Sequence, residues 1–108
     1  MTAPAVIARL RAAGCVWAEE EAALLAEAAG SADELEDMVR RRVGGEPLEL
    51  VLGWVELLGR RLVVAPGVFV PRRRTELLAR TTSAHAAARS RPVVVEMCCG
   101  VAPVAACL

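Results

Sequence analysis

The chain has 108 residues, 56% hydrophobic and 24% charged, with thirteen Arg balancing thirteen acids. That length holds one core or two half-sized ones, and no run approaches the roughly 20 apolar residues that span a bilayer, which excludes a transmembrane protein. Met1-Thr2-Ala3-Pro4 carries no basic n-region and the sequence contains no Lys, Asn, Gln or Tyr, so a cytoplasmic protein is expected, with no catalysis through those four side chains.

Thr2 before Pro4 predicts a helix whose apolar face holds Val6, Ile7 and Leu10 and which ends at Gly14. Trp17 to Ala29 is Ala, Glu and Leu, with Glu19, Glu20 and Glu21 in the first turn, where the helix dipole favours anions; Gly30 closes it. Ser31-Ala32-Asp33-Glu34 reads as a capping box for a third helix striped by Leu35, Met38 and Val39. Arg40, Arg41 and Arg42 sit at its end, either as a solvated cluster compensating the dipole or as contacts for an anionic partner. Short helices joined by glycine corners bury their stripes only against one another, so residues 1–45 are expected to form a helical bundle.

After Pro47 the pattern changes. Leu48, Leu50, Val51 and Leu52 predict one helical turn, and Trp54 to Leu58 and Arg61 to Ala65 flank a Gly59-Arg60 hairpin turn. Val68-Phe69-Val70 is extended ahead of Pro71, and Arg72-Arg73-Arg74-Thr75-Glu76 leads into a helix over 75–88 with Thr75 as its cap. Val93 to Met97 is an apolar run without alternation, followed by Cys98-Cys99-Gly100-Val101-Ala102 and then Pro103, which predicts a buried parallel strand, a tight loop and a helix start.

Charge is uneven, with five Arg against eleven acids before residue 60 and eight Arg against two acids from there on. Two mutually attracting halves or a surface for an anionic ligand would both explain it. Cys15, Cys98, Cys99 and Cys107 include no CxxC pair, which predicts reduced thiols and no zinc site. The adjacent Cys98 and Cys99 are either a redox pair or small residues tolerated beside a ligand. His85 has no ligand-spaced partner, Trp17 and Trp54 are expected in the core, and the Arg72 to Arg74 run without interleaved aromatics is a poor nucleic-acid signal.

A buried strand ending in an acid, then a small-residue loop turning into a helix, is the first unit of a nucleotide-binding α/β sheet. Small residues let a ligand approach the backbone amides, and the acid near the strand end can hold a cationic group. The run Gly44-Gly45-Glu46-Pro47-Leu48-Glu49-Leu50-Val51-Leu52-Gly53, then Gly59, then Pro66-Gly67-Val68-Phe69-Val70-Pro71-Arg72-Arg73-Arg74-Thr75-Glu76, and Val95-Glu96-Met97-Cys98-Cys99-Gly100 about 20 residues on, resembles the HemK/PrmC family of protein N5-glutamine methyltransferases. The likeness covers residues 35–108, and the helices before them resemble that family's N-terminal helical domain.

The resemblance implies an α/β protein with an N-terminal helical bundle at 1–45 that recognises the substrate and a β-hairpin linker at 46–74. Residues 75–108 would then start a truncated Rossmann-like domain. It implies S-adenosylmethionine as cofactor and a class-1 peptide-chain release factor as partner, methylated on the glutamine of its Gly-Gly-Gln motif, with no nucleic acid, membrane or metal involved. The positions matching the cofactor loop are Glu96, Cys98, Cys99, Gly100, Val101 and Ala102; those matching the neighbouring pocket are Phe69, Pro71, Arg72, Thr75 and Glu76.

Against the family loop Asp-Leu-Gly-x-Gly-x-Gly, Glu96 replaces the acid, Cys98 the first Gly and Ala102 the last. The catalytic Asn-Pro-Pro-Tyr motif has no counterpart, so no catalytic residue is assigned and the chain is expected to be the inactive front portion of an enzyme, cut within the cofactor site. An unpaired strand at 93–97 predicts self-association. The alternative is a truncated, non-catalytic paralogue acting as a protein-interaction module.

Overall fold

The computed structural model describes residues 2–108, so Met1 of the N-terminal reading lies outside the described residues. Two compact units divide the chain between Leu52 and Gly53.

The first unit is helical: α1 (Ala3–Ala12), α2 (Ala18–Ala28), α3 (Ala32–Val43) and α4 (Leu48–Leu52). Thr2 caps α1, its Oγ1 accepting from Ala5 N at 3.3 Å. Ser31 caps α3 by accepting from Glu34 N at 3.1 Å, while the Glu34 carboxylate reaches back to Gly30 N at 2.7 Å. Val6, Leu10, Ala18, Ala22, Leu25, Met38, Val39 and Val51 form one buried cluster, with Ile7 and Leu35 packed against it. These are the stripes the spacing predicts, and α4 joins them through Val51.

Of the three arginines ending α3, Arg40 stays exposed to solvent, whereas Arg41 and Arg42 reach beyond the helix. Arg42 holds the largely buried Glu21 of α2 through two bonds of 2.8 and 3.2 Å, Arg41 holds Glu46 through two of 2.7 Å, and Arg40 pairs with Asp37. Two of the three thereby tie α3 to its neighbours through forked carboxylate pairs, which add direction as well as charge. Burial pushes the Cys15 thiol up, leaving an inert sulfur in the core.

Trp17 is also displaced from its predicted place. It is the residue before α2, and that helix buries Ala18, Glu21, Ala22 and Leu25, a face that leaves the indole 67% exposed.

The second unit contains β1 (Trp54–Leu57) and β2 (Arg60–Val63), paired antiparallel, then α5 (Thr75–Ala87) and the short α6 (Pro103–Ala106). Leu57 pairs with Arg60, so the turn is Leu58-Gly59, one residue earlier than predicted. Both turn residues have positive φ, 49° and 74°, as a right-twisted two-residue hairpin requires. Trp54 is only half-buried, with the Arg61 guanidinium 4.0 Å from its ring centroid.

Thr75 begins α5 instead of capping it. Thr75, Glu76 and Leu77 donate to the carbonyls of Arg72, Arg73 and Arg74 at 2.9 to 3.2 Å, so the chain tightens into the helix through three-residue turns and needs no side-chain cap. The predicted parallel strand at 93–97 is absent. The described residues hold no third strand to pair with it, and Val93, Val95 and Met97 stand exposed.

Among the described residues no helix is long and apolar enough to cross a membrane, and no three ligand-type side chains group as a metal site would need.

Candidate functional site

Within the second unit, residues 69–75 and 94–104 enclose an open cavity of about 490 Å³, within the range of small-molecule sites. Phe69, Pro71 and Thr75 line it together with Glu96, Cys98, Cys99 and Gly100. Two segments far apart in the chain thus border one cavity.

Four predicted residues lie off the lining. Val101 and Ala102 carry the turn into α6, where Ala102 N donates to Cys99 O at 2.7 Å. Arg72 lies over the Phe69 ring at 5.8 Å. Glu76 faces the hairpin, accepting from Leu58 N at 3.3 Å, with Arg80 4.0 Å from its carboxylate.

Leu78 and Thr82 line the cavity without having been singled out in the sequence. The signal was present, because Thr75, Leu78 and Thr82 are spaced to share one face of α5. Thr82 turns its hydroxyl to Leu78 O at 2.8 Å, so this side of the wall is largely apolar.

Glu96 is held by the start of α6, accepting from Ala105 N at 2.8 Å and Val104 N at 3.4 Å. Those amides are among the unpaired donors of a helix N-terminus, and they fix the carboxylate at the cavity edge.

Three curated proteins match the chain. A 4-amino-L-phenylalanine/4-methylamino-L-phenylalanine methyltransferase of Streptomyces pristinaespiralis is 42% identical over 67 residues, covering 57% of this chain and 23% of that protein. A release factor glutamine methyltransferase of Bordetella pertussis is 35% identical over 60 residues, 56% of this chain and 22% of that protein. The one from Neisseria gonorrhoeae is 42% identical over 48 residues, 44% and 18% respectively. This chain resembles the N-terminal part of a release factor glutamine methyltransferase.

It spans about a fifth of the length of the curated relatives it matches. No family model matches it, and no solved structure does so significantly. Cys98, Gly100 and Ala102 are all left-handed, with φ of 51°, 54° and 55°. At Cys98 and Ala102 this is a backbone that glycine adopts most readily.

Proposed function

We propose that this chain is the N-terminal part of a cytoplasmic, S-adenosylmethionine-dependent methyltransferase that modifies the glutamine side-chain amide of a class-1 release factor. The observation that carries this reading is that residues of 69–75, the segment in which the resemblance is most specific, and residues of 96–100 line one cavity. Residues 1–45 would recognise the protein substrate, 46–74 would link, and 75–108 would begin the Rossmann-like cofactor domain.

The residues present suit the cofactor. Glu96 offers a carboxylate to its ammonium group, the backbone of Cys98, Cys99 and Gly100 borders the cavity, and Phe69, Pro71 and Leu78 give an apolar surface. When bound, S-adenosylmethionine supplies an electrophilic methyl group. The tether of Glu96 to Val104 N and Ala105 N keeps its carboxylate oriented before any ligand arrives.

The test uses protein captured from its source cells with an antibody against residues 2–45. Incubation with methyl-labelled S-adenosylmethionine and a class-1 release factor is expected to label the glutamine of the Gly-Gly-Gln motif. Label on free 4-amino-L-phenylalanine and none on the release factor would overturn the substrate assignment in favour of an amine acceptor. No label on either would overturn the enzyme reading and favour a protein-interaction module.

A further inference from the structure

The loop between Glu96 and α6 places two adjacent thiols, Cys98 and Cys99, on the cavity wall, both exposed. The other cysteines are differently housed. Cys15 is buried in the first unit, and the Cys107 thiol donates to Leu57 O of the hairpin at 3.9 Å. Only a weak 3.8 Å contact from Cys99 Sγ to Gly100 O engages the Cys99 thiol.

Consecutive Cα atoms are 3.80 Å apart, closer than the 4.4–6.8 Å that disulfides usually bridge. A bond between adjacent cysteines closes a strained ring, and strained, exposed disulfides are the readily reduced ones. Cys98 and Cys99 are exposed in a loop outside any helix or strand, so no regular structure has to break on closure.

We propose that Cys98 and Cys99 are a reversible dithiol–disulfide site on the cavity wall, oxidised by a peroxide and reduced by a small thiol. One thiolate attacks a peroxide oxygen of hydrogen peroxide; the O–O bond breaks, a sulfenic acid forms and the other oxygen leaves as water. The neighbouring thiol attacks that sulfur, the S–S bond forms and a second water departs. Two thiols lose two electrons and the peroxide gains them. Two molecules of a small thiol reverse the step and leave as their own disulfide.

The closure re-aims two residues of the lining, and the 2.7 Å bond from Ala102 N to Cys99 O carries the change to the start of α6. The site lies on the cavity of the methyl-transfer reading but does not depend on that reading, and its test involves no cofactor.

The reduced 108-residue chain is treated with hydrogen peroxide and weighed intact, then digested with trypsin, which cleaves after Arg89 and leaves all three second-unit thiols in one peptide. The Cys107→Ser variant assigns the pairing. It is expected to lose two hydrogens on oxidation, regain them with dithiothreitol, and show amide NMR shifts confined to the loop and α6. Cys98→Ser and Cys99→Ser, each checked for an unchanged far-UV spectrum, are expected not to lose them. Loss of the bond in Cys107→Ser, a bond joining two chains, or oxidation to sulfinic acid without a disulfide would each overturn the proposal.

Discussion

Ala102 and Cys98 hold left-handed backbone, a conformation that costs a residue with a β-carbon about 1–2 kcal/mol. Replacing Ala102 by Gly relieves that strain but adds freedom to the unfolded chain, a partial offset. Ala102→Gly is therefore expected to stabilise the second unit by about 0.5–1 kcal/mol, read as a higher urea midpoint by circular dichroism; a lower midpoint would contradict the strain. At Gly100 conformation matters more than space, because an added β-carbon would meet only ordinary contacts, Val68 Cγ1 at 3.7 Å and Phe69 O at 3.8 Å. That Cys98 and Ala102 interrupt a glycine pattern was legible only as an expectation from the resemblance. The roles of Glu76 and Arg72 were not, since residue type and spacing do not say that one side chain turns to the hairpin and the other lies over Phe69.

Elements whose signals are local were read well. Caps set the starts of α1 and α3 and apolar stripes set all three helices, and Ser31→Ala is expected to cost the first unit about 1 kcal/mol by leaving Glu34 N without its acceptor; thermal denaturation checks it. The hairpin was read one residue late, because Leu58 at positive φ is a choice that composition disfavours. Gly59→Ala is expected to cost the hairpin about 1 kcal/mol, and the added methyl has nothing within 4 Å, so the cost would be conformational alone. Faster hydrogen exchange at Leu62 and Val64 would report it, and unchanged exchange would count against the turn geometry. The apolar run 93–97 failed as a strand for a non-local reason: a strand needs a ladder partner, and hydrophobicity does not supply one.

At the scale of the molecule, acid should act on the helical unit. Arg11 beside Glu19, Arg9 beside Glu36 and Arg41 beside Glu46 hold three carboxyls below their ordinary value of 4.5. Because the unfolded chain binds these protons more readily, their stabilisation is full above that value and is lost as pH falls through it and then through the lower folded values. Urea midpoints are expected to fall between pH 7 and pH 3 at low salt, and to fall less in concentrated salt, which screens exposed pairs; a midpoint unchanged or raised at pH 3 would refute the pairing. The charge asymmetry of the sequence was legible from the start, whereas the capture of Arg41 and Arg42 by Glu46 and Glu21 depends on contacts that residue spacing does not reveal. The two tryptophans fall one to each unit, and with no Tyr and a single Phe they dominate the near-ultraviolet signal. Trp17 is already in water when folded, so its emission changes little on unfolding, while Trp54 loses its place beneath Arg61. Intrinsic fluorescence is thus a selective optical reporter of the hairpin unit, and melting of the helical unit passes almost unseen at that wavelength.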